Sequence, residues 1–76
     1  MRFEIRIGDR FRHFKGTVYR VVAIAKHTET EEELVVYGDG NDNTWARPID
    51  MFCSLVDREK YPQATQKYRF EKIQEE

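Results

Sequence analysis

The sequence predicts a mainly β domain, and three observations support that prediction. Apolar and polar residues alternate with a period of two over most of the chain, which is typical of half-buried strands. Short segments rich in Gly, Asn and Asp separate the alternating stretches, and these residue types favour tight turns. The length of 76 residues leaves room for one small core. We therefore expect residues 1–76 to form a single small SH3-like barrel of about five to six strands.

The first two extended segments lie before glycine-containing turns. Residues 3–7 alternate Phe or Ile with charged side chains, so we expect a strand there. Closing a barrel requires this strand to meet a late strand near residues 68–70. Turns are predicted at residues 8–9 and 15–16, and residues 11–14 between them form a short extended segment.

The longest predicted strand runs over residues 17–26 and is rich in β-branched residues. Both of its faces are apolar, so the strand is either covered on both sides or bent between two sheets. The polar residues 28–32 are predicted to form a hairpin tip that leads to the next strand at residues 34–37. Residues 38–43 are the strongest turn signal of the chain, because Gly, Asn and Asp tolerate a positive φ.

The last third of the sequence predicts short elements. A strand at residues 44–47 ends at Pro48, and one short 3₁₀ or helical turn follows at residues 49–52. Residues 57–65 are predicted to be a loop. A final strand then contains residues 68–70.

Composition excludes several classes of protein. We expect neither a secretory signal nor a membrane span, which needs an apolar run of about 18 residues. The single cysteine, Cys53, excludes an internal disulfide and suits a reducing compartment, so we expect a cytoplasmic protein. The net charge of −1 argues against a broad duplex-binding surface, because that function needs a large basic patch.

The small net charge hides a segregation of charge along the chain. Residues 1–27 contain seven basic and two acidic residues, which gives +5, whereas residues 28–59 contain two basic and nine acidic residues, which gives −7. In a hairpin-rich fold these segments pair with each other, so the sequence favours cross-strand charge complementarity. A basic binding face is the alternative.

Several short strings occur in the same order as in one bacterial family. They are Arg12-His13-Phe14-Lys15-Gly16, Tyr19-Arg20-Val21, Ala25-Lys26-His27-Thr28-Glu29-Thr30, Val35-Val36-Tyr37, Trp45-Ala46-Arg47-Pro48 and Met51-Phe52. Through these strings the chain resembles the bacterial domain-of-unknown-function family DUF1653, most clearly over residues 8–56. The resemblance implies an SH3-like barrel with no assigned activity. The chain departs from the family at two places. It lacks the longer insert that family members have between the strand ending at Tyr37 and the tryptophan at position 45, and it has Ala46 where valine is usual.

The sequence favours a role other than catalysis. Cys53 has no neighbouring base, and the chain contains no phosphate-binding loop, nucleophile elbow or paired-carboxylate motif. We expect no cofactor. The alternative is a small metal-dependent enzyme in which His13, His27 and Glu29 hold a divalent metal. Against it, nothing in the sequence brings the two histidines together, and the favoured role of His27 is to cap the hairpin tip through hydrogen bonds with the backbone.

Aromatic and basic residues form the candidate ligand-binding set. Trp45 and Arg47 are two residues apart on a predicted strand, so both project to one face and can flank a planar or anionic ligand. The competing interpretation places Trp45 at the centre of the core. The densest basic run, residues 12–15, converges on an anion only if the chain bends near Lys15. The predicted ligand-binding residues are Arg12, His13, Lys15, Tyr19, His27, Tyr37, Trp45 and Arg47.

The favoured hypothesis from the sequence is a small binding module. Its candidate partners are a nucleotide, a single-stranded nucleic acid or an acidic peptide bound on the aromatic and basic face, with no membrane partner. The chain is expected to be a monomer or a small homo-oligomer. A structural interaction subunit remains a third alternative.

Overall fold

Five antiparallel strands and one short helix make up the part of the chain, residues 4–73, that the computed structural model describes. The elements are β1 (Arg10–His13), β2 (Val18–Lys26), β3 (Glu33–Gly38), β4 (Thr44–Pro48), α1 (Ile49–Phe52) and β5 (Phe70–Lys72). The strands form one sheet in the order β4-β3-β2-β1-β5. The structure thus confirms the mainly β class and the short helical turn after Pro48.

Strands β1 to β4 follow one another through three hairpins, and the turns lie where the sequence predicts them. Gly16 and Gly40 have φ values of 109° and 88°, in the left-handed region that glycine enters without a steric penalty. Glu31, at φ 61°, helps to reverse the chain between β2 and β3. Residues 57–65 contain no strand or helix, as predicted.

The sheet has two open edges, formed by β4 and β5, and over residues 4–73 it does not close into a barrel. The strand predicted at residues 3–7 is wrong for residues 4–7, while residue 3 lies outside the described residues. A turn replaces it, because Asp9 N–H donates to the carbonyl of Arg6 and Asp9 Oδ2 accepts the N–H of Arg6. The last strand pairs with β1 instead, where Phe70 lies opposite His13.

The core occupies one face of the sheet beneath α1. Phe52 of α1 stacks on Phe70 with ring centroids 4.0 Å apart and meets the edge of Phe11 at 5.1 Å. These three rings are fully buried, together with Val21 and Val35. Large aromatic side chains therefore supply most of the apolar area that a chain of this length can bury.

A β-bulge explains the two apolar faces of β2. The register with β3 shifts between Val21 and Ala23, so Val21 lies opposite Tyr37 and Ile24 lies opposite Val35. Tyr37 and Val35 are two residues apart and share a face, so the bulge also brings Val21 and Ile24 to one face. The strand stays within one sheet and is not covered on both sides, since Val22 is 50% exposed.

Cross-strand pairing accounts for only part of the segregated charge. Lys26 lies opposite Glu33, which is complementary, but Arg10 lies opposite Arg20. The acidic residues of segment 29–33 lie at and beside the β2–β3 hairpin tip, at the far end of β2 from the basic β1. The pair Lys26–Glu33 is complementary as predicted, whereas the pair Arg10–Arg20 places two residues of the same charge opposite each other.

Within the described part of the chain, no helix has the length and apolar character required to cross a membrane.

Candidate functional site

Trp45 lies on the surface beside two tyrosines. Its side chain is 44% exposed, and the centroid of its ring is 5.6 Å from that of Tyr19 and 6.0 Å from that of Tyr37. Tyr37 is its cross-strand neighbour, and the two rings stack. The interpretation of Trp45 as the central core residue is therefore wrong, because Phe52 and its neighbours fill the core and β4 is an edge strand.

Arg47 lies on the same face of the sheet as Trp45, as the spacing of two predicts. Its Nε donates to the hydroxyl oxygen of Tyr37 over 3.4 Å, and its side chain is half-buried. The tyrosine thus positions the guanidinium next to the exposed indole. Trp45 and Arg47 therefore share a face, as their spacing predicts, whereas Tyr37 is 5% exposed and belongs to the core.

His13 joins this face from β1. Its imidazole centroid is 6.3 Å from that of Tyr19. Burial lowers the pKa of His13, and the positive charges of Arg69, Arg47 and Lys15 lower it further. The imidazole is therefore neutral at neutral pH, and cationic groups come towards it from three separate segments of the chain.

Arg69 belongs to the site but was not among the residues predicted from the sequence. Its Nε donates to Ser54 Oγ over 3.2 Å, its N–H donates to the Ser54 carbonyl, and its own carbonyl accepts the N–H of Phe14. These hydrogen bonds hold the segment before β5 against β1, which places Arg69 near His13. No local sequence signal marks this residue, because its role depends on the long-range pairing of β5 with β1.

We call the surface formed by these side chains the Trp45 cluster. It contains His13, Tyr19, Tyr37, Trp45, Arg47 and Arg69.

The chain bends after His13, as the predicted convergence of the basic run requires. His13 Nδ1 accepts the N–H of Lys15 over 3.1 Å, and Gly16 N–H donates to the His13 carbonyl over 2.7 Å. Lys15 is thereby turned towards Tyr61, with its Nζ 5.0 Å from the centroid of that ring. The structure therefore places Lys15 beside the Trp45 cluster, on the other side of His13.

Arg12 lies apart from the cluster, on the opposite face of the sheet from His13. Alternate residues of a strand point to opposite faces, and Arg12 lies opposite Glu71 of β5. Its guanidinium forms an exposed ion pair with that carboxylate, with an N–O distance of 3.7 Å. The bend after His13 therefore brings Lys15, but not Arg12, to the Trp45 cluster.

His27 also lies apart, at the β2–β3 hairpin tip. Its Nδ1 accepts the N–H groups of Glu29 and Thr30 at 3.1 and 3.3 Å, which is the capping role that the sequence offered as the alternative. The nine residues of β2 separate His27 from His13 by roughly 26 Å at about 3.3 Å per residue.

The alternative of a metal site at His13, His27 and Glu29 does not fit this geometry. His13 lies at the opposite end of β2 from His27 and Glu29, so the three side chains do not converge. Over residues 4–73, no group of three or more His, Cys, Asp or Glu side chains is arranged to hold a metal ion.

Comparison with known proteins gives one match. The family model described as "Protein of unknown function (DUF1653)" matches residues 9–72, a range that contains all five strands and α1. Searches of curated proteins and of solved structures return no match.

Proposed function

The chain belongs to the DUF1653 family of proteins of unknown function, and from the geometry of the Trp45 cluster we propose that it is a binding module. Its ligand combines a planar aromatic group with an anionic group, as a nucleotide does. The observation that carries this proposal is the exposed indole of Trp45, which lies on the same face of the sheet as Arg47. The other candidate partner, an acidic peptide, supplies only the anionic half of this chemistry.

The planar group of the ligand stacks on Trp45. Tyr37 lies parallel to the indole and Tyr19 meets it edge-on, so both tyrosines support the ring from the protein side. Aromatic side chains have few rotamers, and a ring already held by its neighbours loses little conformational freedom on binding. Stacking of a base on such a ring contributes about 1–3 kcal/mol.

The anionic group binds to the guanidinium groups of Arg47 and Arg69. Tyr37 and Ser54 hold these groups through hydrogen bonds, and neither guanidinium pairs with a carboxylate among residues 4–73. The positive charge of both groups is one of the causes of the lowered pKa of His13. A phosphate can accept two hydrogen bonds from one planar guanidinium, which makes it a good partner for arginine.

Titration with nucleoside monophosphates tests the proposal, because Trp45 is the only tryptophan of the chain and reports binding through its fluorescence. We expect saturable quenching by the nucleotide and weaker binding of the nucleoside without its phosphate. Arg47→Gln should reduce the affinity about tenfold or more, since a charged hydrogen bond contributes about 1.5–3 kcal/mol.

Arg12→Gln is the matched control, because it removes the same charge from the opposite face and should leave the affinity unchanged. Equal losses of nucleotide affinity in Arg12→Gln and Arg47→Gln would contradict the proposed site. If acidic peptides quench the fluorescence and nucleotides do not, the proposal that the ligand contains a planar aromatic group is wrong.

A further inference from the structure

Trp45 is exposed, and partly exposed rings continue from it past His13 to Tyr61; we propose that the surface they form binds a single strand of nucleic acid. The bases lie on the rings and the phosphates lie on the flanking cations. This inference rests on the proposed function and extends it from one nucleotide to several.

Five rings form the surface, which we call the aromatic strip. In spatial order they are Trp45, Tyr19, His13, Phe14 and Tyr61. The centroids of consecutive rings are 5.6, 6.3, 4.5 and 4.8 Å apart. Stacked bases of one strand are about 3.4 Å apart, and neighbouring rings of the strip meet at interplanar angles of 89°, 80°, 31° and 62°. A bound strand is therefore drawn out from its stacked form and does not place one base on every ring. A row of aromatic side chains beside positive charges is the arrangement by which proteins bind single strands without sequence preference.

A cavity of about 370 Å³ forms the far end of the strip. Its lining residues are Phe14, Lys60, Tyr61, Pro62, Gln63 and Ala64. This volume lies within the range of small-molecule sites, which is about 300–1,000 Å³. The walls are mostly apolar, with the amide of Gln63 as a hydrogen-bonding group, so the cavity suits a base rather than a bare anion.

Two lysines provide positive charge at this end. The Nζ atoms of Lys15 and Lys60 lie 5.0 and 5.6 Å from the centroid of the Tyr61 ring. A hydrogen bond from Lys15, together with the charges of both lysines, lowers the pKa of the Tyr61 hydroxyl although burial opposes the shift. Neither lysine pairs with a carboxylate in the described range 4–73. Phosphates of a bound strand would supply the missing negative charge.

The net charge of −1 does not prevent this binding. The acidic segment 29–33 lies near Arg47, since Arg47 is opposite Val35 and residues 31–33 line one pocket with residues 48–50. Most of the length of β2 separates this segment from His13 and from the Tyr61 end of the strip. That distance is roughly 26 Å, at about 3.3 Å per residue, and the Debye length is only about 8 Å at physiological salt. The Tyr61 end of the strip therefore acts electrostatically as a local basic surface. A duplex fits it less well, because paired bases do not present their faces to the rings.

The test compares thymidine monophosphate with oligothymidylates of two to six nucleotides, using Trp45 fluorescence and calorimetry. We expect the affinity to rise with length and to level off once the strand reaches from Trp45 to the cavity beside Tyr61. Tyr61→Ala should weaken binding of the oligomers about tenfold and leave binding of the monophosphate unchanged. Lys60→Gln is the second variant, because its exposed side chain is not needed for folding.

Salt dependence provides an independent measurement. Neutralisation of four phosphates by Arg47, Arg69, Lys15 and Lys60 predicts a slope of about −2.8 for log affinity against log salt, and removal of both lysines reduces it to about −1.4. Lys26→Gln is the matched control, because it removes a lysine from the far end of β2 and should not change the slope.

Different failures separate the two proposals. If thymidine monophosphate binds but the oligomers bind no more tightly and Tyr61→Ala has no effect, the strand proposal is overturned while the proposed function stands. If neither monophosphate nor oligomer binds, both are overturned. If acidic peptides bind instead, with an affinity that depends on Lys60, the surface is a peptide site and the nucleic-acid proposal is wrong.

Discussion

His13 is the residue at which the Trp45 cluster and the Tyr61 end of the strip meet. Its ring centroid lies 4.5 Å from that of Phe14 on one side and 6.3 Å from that of Tyr19 on the other. In the proposed site, a neutral imidazole at this position would give the ligand a flat surface without adding a charge. Protonation would add a positive charge beside Arg69 and Arg47, so the folded state resists it.

We expect the free energy of unfolding to decrease as the pH falls below 6.5, the ordinary pKa of histidine. Burial first, and then the charges of Arg69, Arg47 and Lys15, lower the pKa of His13 in the folded state. The unfolded chain therefore takes up this proton at a higher pH than the folded chain does. The contribution is fully present above pH 6.5 and is lost as the pH falls through the folded pKa.

Urea unfolding of the wild type and of His13→Gln between pH 5 and pH 7.5 measures this effect. The variant should show a shallower dependence on pH in that window. The lowered pKa values of Asp9 and Asp39 affect stability only at more acidic pH, around and below their ordinary value of 3.8. Parallel pH profiles for the two proteins would rule out this role of His13.

Helix α1 contributes to the fold mainly through one side chain. It is a single turn that begins after Pro48, and its Phe52 is fully buried between Phe11 and Phe70. Met51, its neighbour, is 50% exposed. The helix thus covers the core face of the sheet, where Phe52 also contacts Tyr37 with ring centroids 5.6 Å apart.

Phe52→Ala should lower the free energy of unfolding by about 3–5 kcal/mol, because a large buried ring is replaced by a cavity. Met51→Ala, one residue away on the exposed side, should change it by less than about 1 kcal/mol. Chemical denaturation measures both. If Phe52→Ala does not fold, Phe52→Leu takes its place in the comparison. A similar loss of unfolding free energy in the Phe52 and Met51 variants would show that Phe52 does not anchor the helix.

The β2–β3 hairpin has its own local stabilisation in the His27 cap. His27→Ala removes an acceptor of two backbone hydrogen bonds, and we expect a loss of about 1 kcal/mol in the free energy of unfolding. Thr28→Ala alters the same exposed turn without removing the acceptor, and its effect should stay within about 0.5 kcal/mol. If His27→Ala leaves the nucleotide affinity unchanged, His27 is not part of the ligand site. If the variant loses affinity, His27 does belong to that site.

At the scale of the whole molecule, local signals predicted most of the elements. The period-two pattern located β2, β3 and β4, and the glycine-containing turns between the strands follow from the tolerance of that residue for positive φ. The strand at residues 3–7 was predicted wrongly, because alternation alone does not show whether a neighbouring strand is present. Ile7 is 69% exposed, while β5 occupies the position beside β1.

In the candidate site, too, residues placed by local spacing were predicted and residues placed by long-range pairing were not. Trp45 and Arg47 were predicted together because a spacing of two on a strand is a local property. Arg69 and Tyr61 come from irregular segments, and only the long-range pairing of the chain brings them to His13. The exposure of Trp45 was not predictable from composition, since it depends on three phenylalanines having filled the core.

The β5–β1 pairing also has a consequence for the order in which the molecule assembles. The hairpins that join β1 to β4 close over short loops, which form quickly, whereas β5 reaches β1 only after most of the chain has been brought round. The stack of Phe70 on Phe52 can stabilise the chain only once that longer loop has closed. We therefore expect β1 to β4 to pair with one another before β5 pairs with β1, so that β5 is the strand that completes the sheet.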